Sequence, residues 1–341
     1  MGGNALKHVG VERKSREDYL FISGFVCGAL GRLFPKCHAQ PILAYASKET
    51  FGDCDILLKS DDLPPNWHDL VRQEFQPQDM ISNGGVLSLD YKGMQIDLIT
   101  APAAEYEFAY TYFAFNDLGN FMGRIAHKMG FKYGHDGLWK MLRDPKGHKY
   151  ADVCVSMDPA EVFAFLGYDY QRWQQGFKTL EDVFEFATST PYFHRRIYQF
   201  DNMNHVARIR DKKRDSYNRF LKWLEDKPQY DKYEWSAYTG DIVTEARVAE
   251  RTHWQVEAFK TFPDYEDKCY QACVKQRRHL QAKQKWNGDL VRQHTGLSGK
   301  LLGTFMERCR KQHEDFEAWV IEQTPEQIEA FIKAVQATPE Q

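Results

Sequence analysis

Gly52-Asp53-Cys54-Asp55-Ile56-Leu57-Leu58 is the stretch of this chain whose residue types are best suited to chemistry. Alternate residues of a strand point to one side, so a strand here would project the Asp53 and Asp55 carboxylates together. Two carboxylates that close repel and raise each other's pKa unless a cation lies between them. Mg²⁺ suits such hard oxygen ligands together with substrate phosphates. A third acid, Asp97, stands between Ile96 and Leu98 in the strand-like run Met94-Gln95-Ile96-Asp97-Leu98-Ile99-Thr100. In a mixed sheet it would meet the same metal pair. Three acidic side chains suffice for two-metal phosphoryl transfer, with two Mg²⁺ ions or Mn²⁺ in their place. Asp97 would serve the metal nearer the attacking hydroxyl, as ligand or general base. Taken alone, Asp-x-Asp is equally compatible with a solvent-facing edge pair.

The elements around these acids follow from periodicity and punctuation. Residues 16–34 read as an amphipathic helix with Leu20, Phe21, Phe25, Leu30 and Leu33 at helical spacing, closed by Pro35. Pro-Ile-Leu-Ala-Tyr-Ala and Asp-Cys-Asp-Ile-Leu-Leu-Lys read as two strands joined by a glycine-containing turn, and a short helix is expected from Trp67 to Phe75. Lys92-Gly93 sits between two alternating runs and predicts a hairpin. Ala104 to about Met129 reads as helix, followed by a glycine-rich region of short strands ending near Val155 and a helix capped by Asp158-Pro159. Beyond residue 176 the chain turns to long helical stretches. The expected fold class is α+β: a front region with a mixed sheet (1–102), a smaller region of helix and short strands (103–175) and an all-α C-terminal domain (176–341).

The family-level expectation rests on a resemblance. Lys-Glu-Thr-Phe-Gly-Asp-Cys-Asp-Ile-Leu-Leu followed by Met-Gln-Ile-Asp-Leu-Ile-Thr-Ala-Pro resembles the palm of family X enzymes in the DNA polymerase β superfamily. Residues 105–139 resemble the passage from that palm to the thumb, and Met157 to Tyr170 resembles a late thumb helix. The resemblance is collinear over roughly residues 40 to 175. It implies that Asp53, Asp55 and Asp97 are the metal ligands. It further implies that Tyr112 and Phe113 pack against the incoming sugar, Asn120 touches the base and Arg124 lies near the templating strand. The family's Gly-Ser, which grips the triphosphate, is replaced by Ile42 and Leu43, with Ala46 where a later Arg stands. Ser47, Lys48 and Gly52 are the expected substitutes, through a hydroxyl, backbone N–H groups and one cation. Ala114-Phe115 stands where the family has Thr-Gly. About forty residues precede the palm, too few for a repair polymerase's lyase region, so the whole looks closer to nucleotidyltransferase-like proteins of bacteriophages.

In the back half, Arg208, Arg210, Lys212, Lys213 and Arg214 are interleaved with Tyr217, Phe220 and Trp223. Such a segment can bind phosphates and stack on unpaired bases, or be a solvated helix face over a core. Trp286 to Cys309 more faintly resembles the C-terminal element of CCA-adding tRNA nucleotidyltransferases, whose glycines, here Gly296 and Gly299, would admit a phosphate to a helix start. The alternative is a turn between packed helices. The function implied is transfer of a nucleoside monophosphate from an NTP or dNTP to a nucleic-acid 3′-hydroxyl, DNA or tRNA/RNA. A toxin-type transferase acting on a protein or small molecule is the competing class.

Bulk properties are compatible with this and add constraints. Of 341 residues, 45 are basic and 48 acidic, so with a net charge of −3 any nucleic-acid contact must come from local patches. Seven scattered cysteines lack the paired spacings of a disulfide framework or zinc ribbon, which suits a reducing compartment. No signal peptide and no apolar run of membrane-spanning length is legible, so a cytoplasmic protein is expected, in the host cytoplasm if phage-encoded.

Overall fold

A computed structural model describes residues 5–239 and 244–338. The chain forms two compact units, Met1–Met141 with Cys154–Pro263, and Leu142–Val153 with Asp264–Gln341.

The first unit is built on a five-stranded mixed sheet. After β1 (Lys14–Ser15) and helix α1 (Arg16–Leu33) come β2 (Ala39–Pro41), β3 (Thr50–Phe51), β4 (Asp53–Lys59), helix α2 (Trp67–Phe75), β5 (Met80–Asn83), β6 (Val86–Tyr91) and β7 (Met94–Ala101). The sheet order is β2-β4-β7-β6-β5, and β1 pairs separately with β3. Strands β4 and β7 run parallel, while the other pairs of the five-stranded sheet are antiparallel. The β6–β7 hairpin turns at Lys92 and Gly93, both at positive φ (49° and 72°), as a two-residue turn with right-handed strand twist requires.

Period-two alternation divides the sheet into two faces. Cys54, Ile56 and Leu58 of β4, with Ile96 and Leu98 of β7 and Leu87 and Leu89 of β6, join the core shared with α1 and α2. The opposite face carries Leu57, Ile99 and Ala101, which are covered by Tyr106 and Ala109 of helix α3 (Tyr106–Phe113). That helix caps only the far ends of β4 and β7. Asp53 and Asp55 lie on the same face nearer the start of β4, beyond the apolar cover.

Several sequence expectations needed correction. Helix α1 forms, but its buried face is Tyr19, Ile22, Ser23, Val26, Ala29 and Leu30, while Leu20, Phe21 and Phe25 are 56%, 61% and 42% exposed. The helix offers two apolar stripes, and stacking of Tyr19 on Phe51 at 3.8 Å belongs to the stripe that faces the sheet. The strand expected over 41–46 lies instead at Ala39–Pro41 and shares only Pro41 with that run, because the residues that follow are pinned elsewhere. Leu43 accepts from the Phe115 N–H, and Ala46 and Ser47 donate to the Phe177 and Lys178 carbonyls. The single helix expected over 104–129 is two, α3 and α4 (Leu118–Met129), broken where Phe115 and Asn116 adopt positive φ. For a bulky residue such as Phe115 that conformation is unusual. Its ring is buried against Trp173 and Phe177, which holds it there.

The expected boundary at 175/176 is likewise absent from the packing. After the meander β8 (Lys132–Gly134), β9 (Gly137–Arg143) and β10 (Lys149–Ser156) come helices α5 (Pro159–Phe165), α6 (Tyr170–Gln174), α7 (Leu180–Ala187), α8 (His205–Lys212), α9 (Asp215–Leu224) and α10 (Glu245–Thr261). Phe121 of α4 packs at 4.2 Å on Phe220 of α9 and at 6.2 Å on Phe184 of α7, so these helices share one core with the front of the chain. The second unit holds α11 (Tyr265–Lys285), α12 (Gly288–Thr295), α13 (Gly299–Arg310), α14 (Phe316–Glu322) and α15 (Pro325–Ala337) around a core that includes Trp286, Val291, Leu302, Val320 and Ile332. No helix among the described residues is long and apolar enough to cross a membrane.

The α3–α4 junction depends on Gly119, where an added Cβ would lie 2.3 Å from the Tyr112 carbonyl oxygen. Alanine normally stabilises a helix relative to glycine. Here Gly119→Ala is expected to destabilise by about 1–3 kcal/mol through overpacking, read as a lower melting temperature in a thermal scan.

Candidate metal centre and cleft

Strands β4 and β7 are in register so that Asp55 stands beside Asp97 and Asp53 beside Gln95. Residues 53, 55, 95 and 97 therefore share one face, and ligand oxygens of Asp53, Asp55 and Asp97 lie within 4.8 Å of one another. Among the described residues this is the only group of three or more His, Cys, Asp or Glu close enough to hold a metal ion, and Cys269 and Cys273 form no such group.

The three carboxylates have unequal surroundings. Asp97 is 3% exposed and is held from two sides. Ser88 Oγ donates to its Oδ1 at 2.5 Å, and Gln95 Nε2 donates to both oxygens at 3.0 Å. Burial raises the Asp97 pKa, and these hydrogen bonds act against that rise. Asp55 Oδ1 is buried without a hydrogen-bond partner. Burial, then the charges of Asp53 and Asp97, push the Asp55 carboxyl up to about 8. A buried, unpaired carboxylate oxygen beside two further carboxylates is the donor set of a hard divalent cation, which would satisfy the oxygen and cancel the repulsion. The residues present fit Mg²⁺ or Mn²⁺.

Asp53 and Asp55 line a cleft of about 1390 Å³ in the first unit. Of the residues expected to bind nucleotide, Ser47, Lys48, Gly52, Tyr112, Phe113 and Asn120 line it as well. Lys48 Nζ lies 4.6 Å from the Phe51 ring centroid and 3.5 Å from Asn116 Oδ1. Burial lowers its pKa, while Asp53 and Asp55 act to raise it. Tyr112 and Phe113 are half-buried at the end of α3, with ring centroids 5.4 Å apart. Three backbone donors of the turn around Ser47 are already committed. The N–H groups of Ala46, Ser47 and Lys48 go to the carbonyls of Phe177, Lys178 and Tyr45, which leaves the Ser47 hydroxyl and the Lys48 ammonium.

Arg124 does not line the cleft. Its guanidinium pairs with Asp211, which is fully buried, and Nη2 also reaches Met203 Sδ at 3.3 Å. Arg210 completes this network by donating to Asp211 Oδ1 at 2.7 Å and to Asn120 Oδ1 at 2.8 Å. Burial would raise the Asp211 pKa, but Arg210 and Arg124 outweigh it and hold the carboxyl below its ordinary value. Arg124 thus anchors α8 to α4, where the resemblance implied a contact near a templating strand.

The basic segment divides in the same way. Lys213 and Arg214 line the cleft, joined by Arg219, while Arg208, Arg210 and Lys212 are outside its lining. Arg214 is paired with Asp117. Tyr217 and Phe220 are core residues and offer no stacking surface. In the second unit Gly296 ends α12 and Gly299 begins α13, both at positive φ, so they form the turn between helices. An added Cβ at either would meet open space, so the conformation demands glycine and crowding does not.

Ser88 and Gln95, which hold Asp97, and Arg13, Lys132 and His135, which line the cleft, are not among the residues the sequence singled out. Ser88 was legible in principle: the Lys92-Gly93 turn pairs Tyr91 with Met94, and counting back places Ser88 opposite Asp97. Gln95 follows from the same alternation as Asp97. Arg13 carries no local signal. In comparisons with known proteins, no family model and no curated protein matches the chain.

The Asp55 pKa gives a test by pH. The folded chain holds the proton from the ordinary value of 3.8 up to about 8, so its stability falls as the pH rises through that interval. Without divalent cations, Asp55→Asn is expected to raise the melting temperature, by several degrees at about pH 9 and little at about pH 4. Adding Mg²⁺ should raise the wild-type melting temperature at the higher pH and leave the variant nearly unchanged.

Proposed function

We propose that the chain is a divalent-metal-dependent nucleotidyltransferase that moves a nucleoside monophosphate from an NTP or dNTP to a nucleic-acid 3′-hydroxyl. The observation that carries this reading is the Asp53, Asp55 and Asp97 cluster, with an unpaired Asp55 oxygen, of which Asp53 and Asp55 line a cleft large enough for a nucleotide and part of an acceptor.

Asp53, Asp55 and Asp97 would hold the metal ions. Bound there, Mg²⁺ supplies electrostatic stabilisation of the phosphates and lowers the pKa of an acceptor hydroxyl. Ser88 and Gln95 fix the Asp97 carboxylate so that its approach to the metal costs no rearrangement. Lys48 places one cation at the cleft wall for the phosphates. Tyr112 and Phe113 offer an apolar wall to the sugar, and Asn120, gripped by Arg210, presents a fixed amide. The acceptor oxygen forms a bond to the α-phosphorus as the bond from that phosphorus to the α–β bridging oxygen breaks. Pyrophosphate leaves with the electron pair, and the hydroxyl proton departs to solvent or a carboxylate. Lys213 on the same cleft is the exposed cation best placed for an acceptor phosphate.

Incubation with labelled NTPs or dNTPs, Mg²⁺ or Mn²⁺, and DNA, tRNA or protein acceptors tests the proposal. Label is expected on a nucleic acid, and Asp53→Ala, Asp55→Ala and Asp97→Ala are each expected to lower the rate on the order of a thousandfold. Label on protein alone would replace the acceptor assignment. No transfer to any acceptor, with wild type and Asp55→Ala alike, would sink the enzyme reading.

A further inference from the structure

Three cations of the cleft are paired with acids. Lys132 pairs with Asp136, Arg214 with Asp117, and Arg219 approaches Glu181 at 4.0 Å. Arg13 differs: its hydrogen bonds among the described residues all go to the neutral oxygens of Thr50. Nε reaches Thr50 Oγ1 at 3.2 Å, and Nη2 reaches the Thr50 carbonyl at 2.9 Å and Oγ1 at 3.1 Å. Three of the five guanidinium N–H donors sit on these two anchored nitrogens, so the two on Nη1 are left over. That edge lies against Gly52, where an added Cβ would stand 3.1 Å from Nη1. Gly52 immediately precedes Asp53, so the unused edge faces the start of the strand that bears the metal ligands.

The chain brings Arg13 there by long-range pairing. Strand β1 pairs with β3, Lys14 beside Phe51 and Ser15 beside Thr50. The Glu12 N–H donates to the Gly93 carbonyl at 3.0 Å, tying the same segment to the β6–β7 turn. Three residues later, at the start of α1, Arg16 Nη1 donates to the Ala46 carbonyl at 2.6 Å and the Lys48 carbonyl at 3.3 Å, bracing the turn that carries Lys48. Arg13 and Lys48 therefore stand on one wall of the cleft, on a segment fixed to the sheet, beside Asp53 and Asp55. A fixed guanidinium edge and an ammonium next to a metal-binding carboxylate cluster match one ligand chemistry, a polyphosphate that bridges metal and cations.

We infer that Arg13 is a substrate-binding residue which, with Lys48, takes the terminal phosphates of a nucleoside triphosphate, and that Gly52 is glycine so that its guanidinium edge can reach them. This assignment rests on the nucleotidyltransferase reading and deepens it. The N-terminal segment then adds a guanidinium beside the turn around Ser47, where the N–H groups of Ala46, Ser47 and Lys48 are committed.

Calorimetric titration of the full chain in Mg²⁺ with inorganic pyrophosphate, a nucleoside triphosphate and the matching monophosphate tests it. Arg13→Ala is expected to weaken pyrophosphate and triphosphate binding roughly tenfold or more while the monophosphate changes little. Gly52→Ala keeps the guanidinium but displaces its edge, and should weaken the same two ligands to a smaller degree. Should Arg13→Ala lower the melting temperature, Arg13→Lys and Gly52→Ala carry the comparison. Unchanged triphosphate binding in these variants, or equal loss of all three ligands, overturns the assignment and leaves the transferase reading standing. A wild type that binds pyrophosphate and shows the Arg13 dependence but transfers no label supports the assignment and overturns the transferase reading. Wild-type protein that binds neither pyrophosphate nor triphosphate overturns both.

Discussion

Three carboxylates are forced together on two parallel strands, and the rest of the first unit is arranged around the repulsion between them. Register alone places Asp55 beside Asp97, and alternation places Asp53 on the same face. The cost falls on Asp55, whose Oδ1 is buried without a partner. A buried carboxylate oxygen without a hydrogen bond is destabilising, and Lys48 offsets this only in part, so the fold must supply stability elsewhere. It does so on the opposite face, where Cys54, Ile56, Ile96 and Leu98 are fully buried beneath α1 and α2. The two faces of β4 divide the labour, one for cohesion and the other for charge.

Local backbone strain and commitment follow the same geography. The sheet face is covered by α3 only as far as Leu57 and Ile99, and α3 stops at Phe113 before a turn in which Phe115 and Asn116 take positive φ. Strained residues of this kind persist where packing over-determines them. Phe115 is clamped between Trp173 and Phe177, and Gly119 lets α4 start against the Tyr112 carbonyl. Tyr112 and Phe113 consequently end a helix at the cleft wall. The turn that bears Ser47 and Lys48 is pinned by Arg16 on one side and by the Phe177–Lys178 backbone on the other. A loop held at both edges can present a cation without paying for its ordering on binding.

Charge in the helical part of the first unit is spent on assembly as well as on the cleft. Asp211 gathers Arg124 and Arg210, and Asp117 gathers Arg214 and Ser216. Such buried pairs give position more than net stability, since desolvation offsets much of the attraction. They fix α8 and α9 against α4 and leave Lys213 exposed at the cleft. The second unit keeps a separate apolar core, and its Gly296–Gly299 turn is explained by backbone conformation alone.

Features that depend on short-range periodicity and turn chemistry were legible along the chain. Alternation gave Asp53 and Asp55 a common face, Lys92-Gly93 fixed the hairpin register that sets Ser88 opposite Asp97, and Asp158-Pro159 marked a helix start that the structure reproduces. Mixed α and β content with a mixed sheet was legible for the same reason. Tertiary structure decided the rest. Only packing could choose between the two apolar stripes of α1, because both have helical spacing and one alone meets the sheet. Only packing could join residues 176–263 to the front of the chain, since the aromatic contacts of Phe121 span about a hundred positions. Arg124 and Arg13 show the limit most directly: one basic residue is consumed by a buried acid, and another, which no local pattern singles out, is carried to the carboxylate cluster by a two-residue strand. A side chain's charge is written locally, but its partner is set by long-range pairing that no local pattern encodes.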